Sequence, residues 1–298
     1  MIVARIDDLV GIDFVMAKVK AYCELLKFRL SFLVAFSCGF GYVLASSQVN
    51  WTTLFMLFLG GFLLSGASVI VNQIIEKDLD RLMTRTMNRP LPTFRVSVNE
   101  ASAVAGACFL AGITILILYT NVLTTLLSVV SMILYGFVYT PLKRVGPIAV
   151  FVGAIPGALP PLLGWVAATG GISHEALIIF GIQFIWQFPH FWAIAWVSDD
   201  DYKKAGFKLL PSDGQKDLNT AIQIMIYTMF LIPLGLLPAT FGITGLNSAI
   251  VVTVCGVVFF AQTFSLMRSG DRKSALKIMF GSFLYLPIVQ IAYLLDKV

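Results

Sequence analysis

The chain is patterned by runs of apolar residues, each about long enough to cross a bilayer. Nine such runs fall at roughly 30–47, 51–75, 100–118, 122–140, 147–168, 174–196, 219–241, 246–267 and 274–295. A spanning helix needs about 20 mostly apolar residues, because the hydrocarbon core is about 30 Å thick and each helical residue rises about 1.5 Å. Sustained period-two alternation is absent, which argues against a transmembrane β-barrel. The pattern predicts an all-α, polytopic membrane protein with nine transmembrane helices in one domain over 1–298.

The connections between the runs alternate in character. One set holds 20 of the 21 Lys and Arg: a segment at 1–26, the loops near 76–96, 141–146, 197–217 and 268–273, and the first turns that these enter. It includes Arg5, Lys18, Lys27, Arg85, Arg95, Lys143, Arg144, Lys204, Lys216 and Arg272. The other set is short, and only Lys297 falls on that side. Basic residues accumulate on the cytoplasmic face of membrane proteins, so the N-terminus is expected inside and the C-terminus outside. The membrane expected is the cell's inner (cytoplasmic) one. Composition agrees: 58% hydrophobic and 12% charged residues exclude a soluble domain, which carries about 25% charge. No nucleic-acid partner is expected; the bilayer is the first partner. The four cysteines show no metal or disulfide spacing.

Two long inner loops, 76–96 and 197–217, carry the candidate chemistry. At the first, Asn72, Glu76 and Asp80 recur every four residues, within roughly 80° of arc on one helix face. Three oxygen-bearing side chains on one stripe form a partial shell for Mg²⁺, which takes one or two carboxylates and completes its octahedron with water and phosphate. Charges alone fit an ordinary solvated turn. Asn72 does not, because it follows the apolar Ala67–Val71 inside a predicted span, where an amide needs a partner. Arg85, Asn88 and Arg89 follow, and the guanidinium groups suit phosphate oxygens.

The second stretch runs Asp199-Asp200-Asp201-Tyr202-Lys203-Lys204 at the inner end of the sixth span. Three adjacent carboxylates repel one another unless a metal, or Lys203 and Lys204, neutralises them. Two acidic clusters on one membrane face, each followed by bases, suit a diphosphate held between metal ions. Tyr139, Lys143 and Arg144 end the fourth span, where a membrane anchor is the plain alternative. His190 lies inside the sixth span, where a helix-packing hydrogen bond competes with a ligand role.

These stretches resemble the UbiA-type intramembrane prenyltransferases, whose Asn-x-x-x-Asp-x-x-x-Asp motif matches Asn72, Glu76 and Asp80. Glu76 departs from it by one methylene, and Gln73 stands where a second acid often follows the Asn. Five phrases are similar to the haem-prenylating branch of that family. They are Lys27-Phe-Arg29-Leu, Arg85-Thr-Met-Asn88-Arg89-Pro-Leu91, the Pro/Gly-rich 153–165, Trp186-Gln-Phe-Pro-His190-Phe-Trp192, and Asp201-Tyr-Lys-Lys-Ala-Gly206 with Leu210-Pro211. The resemblance implies a helical bundle around a central cavity open to the cytoplasmic side, with the two long loops as active-site loops. It implies farnesyl diphosphate and haem b as substrates, and Mg²⁺ held by Asn72, Glu76, Asp80 and Asp201. Arg85, Arg89, Lys143 and Lys204 would then balance the charge of the leaving group. Asn88, Tyr139, Arg144, Lys203 and His190 would contact substrate. A partner in haem A synthesis or oxidase assembly is also compatible. A quinone-precursor or other aromatic acceptor, and a secondary transporter, are the alternatives; the latter would place its polar groups near the bilayer midplane.

Overall fold

The computed structural model describes residues 11–298, so Arg5 and the rest of 1–10 lie outside the described residues. The helices are α1 (Ile12–Leu25), α2 (Phe28–Ala45), α3 (Trp51–Asp80), α4 (Val98–Tyr119), α5 (Val122–Leu142), α6 (Ile148–Thr169), α7 (His174–Val197), α8 (Asp199–Lys204), α9 (Leu218–Thr240), α10 (Leu246–Ser269) and α11 (Arg272–Leu295). Among the described residues nine of these are long and apolar enough to cross a membrane, and they fall where the apolar runs predict. The predicted segment before the first span holds a further helix, α1. Side-chain oxygens of Asn50, Ser97, Asn121, Ser173, Asp217 and Asp271 accept the first free N–H groups of α3, α4, α5, α7, α9 and α11. These small polar residues end the connections and start the helices.

Helix α6 is the most buried span and forms the centre, packed against α2, α5 and α7. Its contact with α2 is backbone on backbone. A Cβ added at Gly41 would lie 1.9 Å from the Pro161 carbonyl oxygen, and one at Gly164 would lie 1.9 Å from that of Cys38. In lipid, where hydrophobic burial does not drive helices together, such close approach supplies the van der Waals contact instead.

The prolines of α6 create a further tie. Pro161 has no N–H, so the Gly157 carbonyl loses its helical donor. Gln183 and Gln187 of α7 replace it, donating at 2.8 Å and 3.0 Å. The Gln183 side-chain oxygen in turn accepts from Ser37 at 3.2 Å and Gln290 at 3.0 Å. One buried polar network therefore joins α2, α6, α7 and α11. At the opposite end, Lys297 donates to the carbonyls of Val43 and Ser46, capping the last turn of α2. The one basic residue outside the main charged set thus has a structural partner.

Replacing Gly164 with Ala forces a methyl group into the Cys38 carbonyl, and displaced backbone costs at least about 1–3 kcal/mol. A thermal-unfolding scan in detergent should show a clear fall in midpoint for Gly164→Ala. The matched Gly181→Ala, with nothing within 4 Å of the new carbon, should leave the midpoint unchanged.

Candidate active site

Helix α3 has 30 residues and is about 45 Å long, against a hydrocarbon core of about 30 Å. With Trp51 at one membrane boundary, its last turns stand beyond the other. Those turns carry Asn72, Glu76 and Asp80 on one face, and all three side chains are buried. The protein, rather than the lipid, must therefore satisfy them. Asn72 donates its amide N–H to Thr140 at 3.0 Å, which leaves its carbonyl oxygen for the pocket. Glu76 lies 2.8 Å from the Lys143 ammonium, yet no hydrogen-bond donor is aligned on that Oε1. Asp80 accepts from Arg89 at 2.8 Å and 2.7 Å, one contact to each oxygen.

The last turns of α5 are wound to meet this face. Pro141 cannot donate to the turn before it, and residues Leu134–Tyr139 take the wider π-helical form. Thr140 donates its hydroxyl to the Tyr135 carbonyl at 2.9 Å while accepting from Asn72. Tyr135, Tyr139 and Lys143 then share one side, with the Lys143 ammonium 4.7 Å from the Tyr139 ring centre and 5.6 Å from that of Phe207. Lys27 joins them from the α1–α2 junction in a left-handed conformation (φ 43°), a strained geometry for a residue with a Cβ.

The second acidic stretch meets the first through the backbone that follows Asp80. Asp201 accepts the backbone N–H groups of Thr84 at 3.1 Å and Arg85 at 3.0 Å, and Lys204 lies 3.2 Å from it. Burial opposes its ionisation, but these donors outweigh it and draw the carboxyl down to about 2. Asp201 holds the turn that presents Arg85. Asp199 is buried and paired with Lys203 and Lys216, while Asp200 is exposed. Tyr202 and Phe207, from the same loop, do reach the pocket.

The resulting pocket has a volume of ≈ 130 Å³ and is lined by Asn72, Glu76 and Asp80, the cations Lys27, Arg85, Arg89 and Lys143, and a ring of Tyr135, Tyr139, Tyr202 and Phe207. Four cations against two carboxylates leave a formal excess of two positive charges. That balance suits a multivalent anion. The volume suits a phosphate-sized group and is well below the roughly 300–1,000 Å³ of pockets for larger ligands.

The structure brings Asn72, Glu76, Asp80, Arg85, Arg89, Tyr139 and Lys143 together. Asp201 and Lys204 stand at the rim, Lys204 reaching Thr84 at 3.3 Å. Asn88, Arg144 and Lys203 are exposed and outside the lining. His190 is also outside it, on the face of α7 toward α11, stacked on Trp186 at 4.3 Å and bonded through Nδ1 to Ser282. Lys27, Tyr135, Tyr202 and Phe207 are lining residues absent from the sequence-based set; Lys27 and Tyr202 lie inside its quoted phrases. Among the described residues no three His, Cys, Asp or Glu side chains form a ready metal shell. The unaligned Glu76 oxygen and the Asn72 carbonyl fit a cation that takes its remaining ligands from phosphate and water.

Among the described residues, nine candidate spans with this cation-rich pocket at their ends define a multi-pass membrane protein suited to holding a multivalent anion. The chain belongs to the UbiA prenyltransferase family, whose model matches residues 34–286. It is 51% identical to a protoheme IX farnesyltransferase of Cytophaga hutchinsonii over 94% of this chain and 98% of that protein. It is 46% identical to that of Flavobacterium psychrophilum over 92% and 93%, and 35% identical to the mitochondrial protein of Arabidopsis thaliana over 99% and 68%. In fold it is similar to a digeranylgeranylglyceryl phosphate synthase, with a TM-score of 0.77 at 20% identity, over 94% of this chain and 98% of that one. It is also similar to a UbiA homologue from Archaeoglobus fulgidus bound to GPP and Mg²⁺, with a TM-score of 0.64 at 18% identity, over 92% and 99%.

Burial, and then the cations of Arg89 and Lys143, push the Lys27 ammonium down to about 7. Below that pH Lys27 adds positive charge to the pocket; above it the charge is lost. Calorimetric titration with inorganic diphosphate should therefore give affinity that falls several-fold from pH 6.5 to 8.5. Lys27→Arg should flatten this dependence, because a guanidinium stays charged across the range.

Proposed function

We propose that the chain transfers the farnesyl group of farnesyl diphosphate to a vinyl group of haem b, releasing diphosphate and yielding a hydroxyethylfarnesyl haem after water adds. One observation carries the choice of acceptor: 51% identity along 94% of the chain to a protein named for that reaction. The pocket alone suits any prenyl diphosphate. The proposed membrane is the inner one, with the pocket on the cytoplasmic side, as the distribution of basic residues predicts.

Arg85, Arg89, Lys143 and Lys27 bind the diphosphate and balance the negative charge that grows as the allylic C–O bond breaks. Mg²⁺, held by Asn72, Glu76 and Asp80, would supply Lewis-acid stabilisation of the leaving oxygen. In this reading Asp201 positions Arg85 through the backbone, and Lys204 supports that turn. Arg89 and Lys143, which pair with Asp80 and Glu76, stand within reach of both an entering anion and the carboxylates that would hold the metal. Tyr135, Tyr139, Tyr202 and Phe207 offer π-faces to the allylic cation and keep water from it. The vinyl carbon then bonds to farnesyl C1; water adds to the resulting cation and loses a proton.

His190 is the proposed haem contact. The Ser282 hydroxyl donates to the Met279 carbonyl at 2.7 Å, so it accepts from His190 Nδ1–H at 2.9 Å. That hydrogen bond leaves the Nε2 lone pair free, the form of imidazole that binds iron.

Proteoliposomes given haem b, farnesyl diphosphate and Mg²⁺ should yield a haem heavier by one farnesyl group plus one hydroxyl, resolved by mass spectrometry. Asp80→Asn should lower turnover by at least about 10²-fold, and Glu76→Asp should retain most of it. An unmodified haem from folded wild-type protein, or prenylation of a quinone precursor in its place, would overturn the assignment. His190→Ala should remove the Soret shift on haem addition while leaving diphosphate affinity unchanged.

A further inference from the structure

We infer that α1 is an interfacial helix lying along the bilayer surface on the pocket side, its outer face covered by lipid acyl chains. Ile12, Val15, Met16 and Val19 follow the i, i+3, i+4, i+7 spacing of one helix face and are 80%, 57%, 63% and 50% exposed. No described residue covers that face. The opposite face is already used: Ala21 and Leu25 pack with Ile70, Leu91, Val96, Ala101 and Ala105. The outward face of a helix in water would be polar; here it is the apolar one, with Lys20 and Asp13 only at its flank.

Depth identifies the occupant. From Trp51, about 20 residues of α3 cross the hydrocarbon and reach the level of Ile70. The last turn of α1 is fixed at that level: Leu26 abuts Gly66, and the Leu25 carbonyl accepts from Gln73 at 2.7 Å. The first half is fixed at the start of α4, where Lys18 pairs with Glu100 at 2.8 Å; nearby, Arg95 pairs with Glu24 at 2.6 Å. A helix held between the head-group level and the hydrocarbon boundary presents its free face to lipid. The exposed surface also continues into Phe28, Phe32 and Leu33 of the first span, where Phe28 packs on Phe62 and Phe32 on Phe58, each at 5.3 Å. Two residues beyond α1, Lys27 enters the pocket, so the seating of α1 on the leaflet positions that ammonium. The inference holds whichever acceptor the enzyme uses.

Nitroxide labels at Ile12, Met16, Val19 and Lys20 test it, each in a full chain whose native cysteines are replaced by Ala and whose fold is checked by circular dichroism. In proteoliposomes the ratio of oxygen to nickel-chelate collision rates should be several-fold higher at Ile12, Met16 and Val19 than at Lys20. Equal nickel access at all four positions would mean that the face is in water and would overturn the inference. Dipolar broadening that disappears on dilution with unlabelled protein would mean that a second copy covers the face, and would overturn it equally. Three labels on the stripe ensure that one disturbed variant does not decide the outcome.

Discussion

The structure depends on two buried carboxylates, each paired with a cation at a depth where neither lipid nor bulk water solvates them. Removing one partner of a buried ion pair strands the other at a cost of about 3–5 kcal/mol, whereas replacing both with apolar groups is often neutral. Stability alone therefore does not call for Glu76–Lys143 and Asp80–Arg89. What these pairs supply is a set of charges already desolvated and already in place. An incoming anion and its metal can rearrange them without the cost of assembling them. The remaining positive excess makes the pocket selective for an anion before any metal is considered.

The scaffold around the pairs is built from helix irregularities. Pro161 exposes the Gly157 carbonyl that anchors Gln183 and Gln187, and this holds α7 against α6. Pro141 and the π-helical turn before it bring Tyr135, Tyr139 and Lys143 to one side. Lys27 adopts a left-handed backbone conformation as the chain turns from α1 into the first span. Asp201 ties a loop from the sixth span onto the backbone that presents Arg85. Before Pro141 and at Lys27 the chain gives up regular helix geometry to place a polar group at the pocket. Strain of this kind persists only where packing enforces it. The glycine contact between α2 and α6 adds rigidity further along the spans.

The spans were legible because hydrocarbon thickness imposes a length and composition that few other constraints imitate. The stripe Asn72, Glu76 and Asp80 was legible because helical periodicity carries through the membrane boundary. Helix α1 was not: it has 14 residues, mixes charges with apolar positions, and falls below the length that marks a span. Asp201 was identified as important through its sequence phrase, but its partners are backbone amides 116 and 117 residues away, which no local pattern reveals. The same holds for Lys27, whose route into the pocket depends on a backbone angle. His190 stood out because an imidazole inside a span needs a partner. That partner, Ser282, lies on the last span and only the fold could identify it.

The small volume of the pocket also fits the physics of a prenyl diphosphate. Each methylene taken out of water contributes about 0.8 kcal/mol, so a farnesyl chain belongs in the hydrocarbon while its diphosphate belongs outside it. A soluble enzyme must build a cavity for both ends. A membrane enzyme has to build only the polar one, at the depth where the chain meets its head group. Helix α3 does this by running about ten residues past the boundary, so that Asp80 reaches the polar zone while Asn72 remains near its edge. Tyr135, Tyr139, Tyr202 and Phe207 line the same pocket as the carboxylates and the cations. The placement of the carboxylates, the aromatics and the lipid-facing α1 thus follows from one requirement, that an amphiphile be held at its own interface while its two halves are separated.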